Sequence, residues 1–147
     1  MIKVRKNKFR AFDSDSETMK MIYSDEPHDG GYCFTLDGEY VQCLLNYCYC
    51  DAFGDDHDNW QPLDNIMQYT GFKDINGKGI YEGDVVEVEA QCIGGRDFKG
   101  VVKFYECGFF IDNGEDAIPL FDEVDPRIVL GNVYENPEFL AFKILFL

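Results

Sequence analysis

The chain has no apolar run of the ~18 residues that a membrane-crossing helix needs. It is short of cations: 13 Lys and Arg stand against 28 Asp and Glu, a formal net charge of −15 over 147 residues. That balance argues against direct binding of a nucleic-acid backbone, because phosphate contacts rely on Lys and Arg to displace counterions. An acidic surface of this kind serves solubility; alternatively it presents an acidic face to a basic partner. Histidine occurs only twice, as His28 and His57. Both fall in acidic loops, and nothing in the spacing sets either beside a Ser or Cys as a triad requires. With 28 carboxylates, no single acid/base pair stands out.

A phosphate loop is missing as well. Asn76-Gly77-Lys78-Gly79 is glycine-rich, yet no G-x-x-x-x-G-K-[ST] exists and Lys78 precedes no hydroxyl. The segment leads into a strand rather than a helix N-terminus, so a structural turn is expected. Asp55-Asp56-His57-Asp58-Asn59 lacks the glycine that a calcium loop needs at its sixth position. It reads as a solvated acidic loop, with the single tryptophan, Trp60, beside it either as a contact residue or, the favoured reading, as an anchor into the core.

What the chain does have is aromatic and apolar bulk: 13 Phe, 9 Tyr and 46% hydrophobic residues. Flat and branched side chains suit a pleated surface, and a chain of this length hides roughly 68% of its unfolded surface. The expected class is all-β. Residues 3–12 and Lys20–Tyr23 form a first hairpin across the turn cluster 13–18. Residues 32–36 and 40–50 form a second, across Asp37-Gly38, with both turn positions at positive φ. Residues 51–64 read as a surface loop and as the boundary between an N-terminal hairpin lobe, 1–64, and a C-terminal lobe, 65–147. A short strand over 67–70 enters the glycine-rich elbow of residues 68–88. Strands over 84–90, 99–106, 108–111, 117–121 and 127–134 then suggest a small β-barrel. In the elbow, Gly71, Gly77 and Gly83 are expected to serve positive-φ geometry. Asn136-Pro137-Glu138 has the chemistry of a helix start, which predicts a short helix over 137–146.

Six cysteines occur: Cys33, Cys43, Cys48, Cys50, Cys92 and Cys107. The basic opening, Met1 to Lys8, lacks the apolar core of an export signal, so free thiols in a reducing cytosol are expected. Cys43, Cys48 and Cys50 with His57 invite a metal reading. Structural zinc sites, however, space two thiolates as C-x2–4-C on one knuckle. Cys48 and Cys50 instead fall two apart in a strand, sharing a face. Buried free thiols filling a sheet are the alternative. No catalytic, cofactor-binding or metal-ligating residue is assigned, and no cofactor.

Three segments together resemble the YopX-like proteins of bacteriophages and prophages. They are Phe9-Arg10-Ala11-Phe12-Asp13 with Lys20-Met21-Ile22-Tyr23; Gln68-Tyr69-Thr70-Gly71-Phe72-Lys73-Asp74 through Asn76-Gly77-Lys78 to Ile80-Tyr81-Glu82-Gly83-Asp84-Val85-Val86; and Leu130-Gly131-Asn132-Val133-Tyr134-Glu135-Asn136-Pro137-Glu138-Phe139-Leu140. Phe12 stands where Trp is common, Phe72 and Phe139 where Leu is common, and Gly79 where a larger residue is common. The apolar end, residues 141–147, is unlike the family's usual polar one. The resemblance implies a mostly β fold with an SH3-like barrel, self-association, and a place inside the infected bacterium. It implies no reaction, so no catalytic residue is carried over.

The functional expectation is a non-enzymatic, protein-binding or oligomeric module in the cytoplasm of the bacterial host. Its partners would be a second copy and a host protein, with no nucleic acid and no membrane. The first alternative is an acidic decoy that occupies a host nucleic-acid-binding protein. The second is a metal- or thiol-dependent enzyme.

Overall fold

The structure, a computed structural model, describes residues 6–14, 19–27, 31–89, 97–121 and 126–139. It is all-β, as expected. Two compact units form, one of residues 8–67 and one built on residues 68–147.

In the first unit, β1 (Phe9–Asp13) and β2 (Lys20–Tyr23) make the expected antiparallel hairpin, with Ala11 opposite Ile22. Both of those side chains are fully buried. The second hairpin joins β3 (Tyr32–Asp37) to β4 (Tyr40–Asn46), with Asp37 opposite Tyr40. Its two-residue loop is therefore Gly38-Glu39, one position later than expected. Gly38 alone takes positive φ there, at 58°. A turn with glycine first and a single left-handed position satisfies the strand twist as well as the two-position turn would.

The return strand ends sooner than the expected residue 50. Asn46 explains the break: its Oδ1 accepts the Asn59 N–H at 3.0 Å and its Nδ2 donates to Asp58 Oδ1 at 3.1 Å. These bonds pull the chain sideways. A two-residue ladder of β5 (Tyr49–Cys50) and β6 (Asp56–His57) then forms, and β7 (Trp60–Pro62) adds to the outer side of β4. The stretch 51–64, expected to be a loop, is on the surface but carries two short strands. Trp60 is not a core anchor: it is 40% exposed, paired opposite Asn46.

The second unit holds a five-stranded antiparallel sheet of β10 (Asp84–Val88), β11 (Phe98–Tyr105), β12 (Gly108–Asp112), β13 (Ala117–Pro119) and β14 (Arg127–Asn132). Its order is β13-β12-β11-β10-β14. Four strands meander and the fifth returns to the first, leaving β13 and β14 as the two edges. Ile80, Val86, Val88, Val102, Phe109, Ile111 and Leu120 make its core. Gly100 sits where a Cβ would come within 2.7 Å of the Asp112 backbone, so only glycine lets β11 approach β12 that closely.

The elbow is a hairpin of β8 (Asn65–Lys73) and β9 (Gly79–Tyr81), longer than the expected strand over 67–70. Gly71, Gly77 and Gly83 all have positive φ, at 89°, 81° and 83°. Glu138 and Phe139 begin a helical turn; the rest of the expected helix, like the tail 141–147, Cys92 and His28, lies outside the described residues.

Candidate functional surface

The residues singled out for metal chemistry are not brought together. Cys43 is fully buried in β4, whereas Cys48 and Cys50 are exposed. Burial pushes the Cys43 thiol up to about 11, with Cys33 and Asp13 adding to the effect. His57 turns instead to Asp51: its Nε2 lies 2.7 Å from Asp51 Oδ2, and its ring stacks on Tyr49 at 5.1 Å. Asp51 Oδ1 also accepts the N–H groups of Phe53 and Asp55. These bonds, His57 first, hold the Asp51 carboxyl below its ordinary range. The acidic loop is thus folded on its own side chains. Among the described residues no group of three His, Cys, Asp or Glu could hold a metal ion.

The signature segments also resolve into scaffold. Asp74 Oδ1 accepts the N–H groups of Asn76 and Lys78 at 2.9 and 2.8 Å, and Oδ2 accepts that of Val129 at 3.1 Å. Ile75 N–H donates to the Arg127 carbonyl at 2.9 Å. The turn therefore covers the outer edge of β14, leaving fewer open donors for an intruding strand. Lys78 supplies backbone groups to this turn, not a phosphate clamp. Asp84 Oδ2 accepts the Tyr81 N–H at 2.8 Å, and the Thr70 hydroxyl donates to the Ile80 carbonyl at 2.7 Å. Gly79 lies under the Tyr69 ring, 3.0 Å from where its Cβ would be, so a larger residue there would have to displace that ring. Asn132 Oδ1 accepts the N–H groups of Tyr134 and Glu135, while Asn136 Oδ1 accepts the Asn132 N–H at 3.2 Å. Gly131 carries no side chain because a Cβ would collide with Asn136. A motif this dense in turn and cap residues needs no ligand to account for it.

In the first unit the exposed large apolar side chains are Met19, Leu36, Tyr40, Tyr47, Tyr49, Phe53 and Trp60. Phe53 is 91% exposed at the tip of the β5–β6 ladder. Among the described residues of the second unit they are Ile75, Phe104, Phe121 and Leu130. Of these positions only Trp60 stands out in the sequence, because an aromatic in a strand is equally consistent with either face until the register is known. No helix among the described residues is long and apolar enough to cross a membrane.

Comparison with known proteins agrees with the fold. Protein EF1440 from Enterococcus faecalis superposes with a TM-score of 0.54 at 23% identity, over 93% of this chain and 99% of that one. Protein yopX from Bacillus subtilis superposes with a TM-score of 0.55 at 22% identity, over 90% of this chain and 95% of that one. No curated protein matches the sequence. The profile of the YopX protein family matches residues 8–141, and the chain belongs to that family.

Proposed function

We propose that the chain is a non-enzymatic module that binds other proteins and associates with itself, encoded by a phage or prophage and acting in the cytoplasm of the bacterial host. The observation that carries the reading is the first unit's concentration of exposed aromatics. Tyr47, Tyr49, Phe53 and Trp60 fall within one stretch of fourteen residues, on and beside the β5–β6 ladder. Aromatic residues concentrated in this way are the usual anchors of protein interfaces, and clustered exposed apolar surface is uncommon on a chain that works alone.

Sedimentation velocity at micromolar concentration tests it. The expected result is a species heavier than the 16.9 kDa chain, converted to that mass by Phe53→Ser combined with Trp60→Ser. A wild-type chain that sediments as a monomer would sink the self-association.

A further inference from the structure

The second unit carries an aromatic surface that its own core does not use. Along β12 the side chains alternate, and Ile111 faces the core, so Phe110 faces out. The Tyr105 ring stacks on Phe110 at 4.7 Å with 12° between planes, and Phe121 meets Phe110 edge-on at 6.3 Å. Pro119 is directly opposite Phe110 across the β12–β13 pair. Gly108 keeps the middle of this row low: even a Cβ there would be in contact with both Phe110 and Phe121. Phe121 is 63% exposed.

The rim of this row is acidic. Asp112 lies on the same face, its Oδ2 3.5 Å from the Tyr105 hydroxyl. Glu106 is close enough to act on the same phenol. Lys103 is the one cation opposite Phe110, and it approaches Asp112 only to 3.9 Å. Burial first, then Asp112, raise the Tyr105 phenol above its ordinary value, so its hydroxyl stays a donor across the physiological range.

We propose that the outer face of Tyr105, Phe110, Pro119 and Phe121 binds a basic, proline-rich segment of a partner protein in the extended left-handed polyproline form. The inference takes its general class from the protein-binding reading above, but its surface is a different one. Three observations choose the occupant. β12 is an interior strand with β11 and β13 on its two sides, so its backbone is committed; β13 is the edge of the sheet, but it is only the three residues Ala117–Pro119 and ends in a proline that has no N–H to donate, a poor ladder for an added strand. Recognition must then go through side chains, and a polyproline segment needs no backbone partner, only aromatic rings against which its pyrrolidines pack. The carboxylates at the rim complement Arg or Lys flanking such a segment, and Arg also stacks on exposed rings.

The test is titration of the full chain with a fluorescent peptide of consecutive prolines flanked by arginines. Two control peptides carry the same prolines flanked by glutamates, and the same arginines flanking Gly-Ser repeats. Saturable binding of the first peptide alone is expected, weakened about tenfold by Phe121→Ser and weakened also by Asp112→Asn. Phe121 is exposed enough for that variant to keep its fold, which far-ultraviolet dichroism checks. No binding of the basic proline peptide overturns the proposal. So does equal binding of the arginine Gly-Ser peptide, which would mean charge attraction only. Conversion of an oligomer to a monomer by Phe121→Ser would overturn it too, by giving this face to a second copy. Failure here leaves the Phe53 and Trp60 experiment untouched, so the two readings fall separately.

Discussion

The carboxylate of Asp74 accepts the backbone N–H of Val129 at 3.1 Å, across 55 residues of sequence. The same side chain closes its own turn onto Asn76 and Lys78. It is 8% exposed. Removing it strands three donors at once, and each hydrogen bond to a charged group is worth about 1.5–3 kcal/mol. Asp74→Ala is expected to cost about 3 kcal/mol or more in urea unfolding. Asp74→Asn, which keeps an acceptor at Oδ1, should cost visibly less. Equal losses in the two variants would assign the effect to charge rather than to the turn.

The β11–β12 turn is built from unsuited residues. Glu106 and Cys107 both take positive φ, at 49° and 66°, between Tyr105 and its partner Gly108. A side chain in the left-handed region costs roughly 1–2 kcal/mol, and Asn-Gly is the favoured pair for such a turn. Glu106→Asn with Cys107→Gly is therefore expected to raise unfolding free energy by about 1–2 kcal/mol. Unchanged or lowered stability would mean that the turn is held by contacts these two side chains make.

Thiol reactivity should separate the cysteines by burial. The thiolate is the nucleophile, and the Cys43 thiol, pushed up to about 11, lies at no accessible surface. At pH 8 an alkylating reagent should label the exposed Cys48, Cys50 and Cys107 while sparing Cys43, as read by peptide mass spectrometry. The linked stability follows in sign. A thiol whose folded value exceeds its ordinary 9.0 contributes stability below that pH, lost as pH rises through about 11. Cys43→Ala should flatten that alkaline loss.

The β5–β6 ladder has the opposite dependence. Asp51 is held below its ordinary 3.8, chiefly by His57. A depressed carboxyl contributes above its ordinary value and loses that contribution as pH falls through the lower, folded one. The amide resonances of Phe53 and Asp55, which donate to Asp51, should shift together in acid below the usual carboxylate range. In His57→Gln that transition should move up towards the ordinary value.

A close approach gives a steric prediction. Gly100→Ala would set a Cβ within 2.7 Å of the Asp112 carbonyl, and backbone cannot swing aside as a side-chain end can. Gly71→Ala meets nothing within 4 Å and suffers only from its φ of 89°. Denaturant titration should therefore rank Gly100→Ala as the more damaging. The reverse order would place the crowding elsewhere.

The glycines of the elbow were readable from sequence because positive φ has a residue signature, and Gly71, Gly77 and Gly83 all show it. The strands of the barrel were readable for a related reason: turn residues punctuate them. Two kinds of feature were not readable. The β5, β6 and β7 strands are two or three residues long and owe their places to the Asn46 side chain, which no periodicity announces. The outward aromatics depend on which residue opposes which, and a shift of one residue would exchange Phe110 with Ile111. Trp60 shows the same limit: contact residue and core anchor were both open, and its pairing opposite Asn46 left it at the surface.

The order of the barrel strands has a consequence for biosynthesis. β10 takes β11, its sequence neighbour, on one side and β14 on the other, so Val86 is paired with both Gly100 and Val129. As the chain leaves the ribosome, the first contact can form long before the second partner exists. Through that interval the second edge of β10, with Val85, Val86 and Val88, lacks the strand that will cover it, the condition in which unpaired edges join the wrong chain. The β3–β4 hairpin needs no such wait, since its strands are near neighbours. Arrival of Arg127 to Asn132 is then the committing event for the barrel, and truncation before this segment should yield a chain that aggregates rather than a smaller folded one.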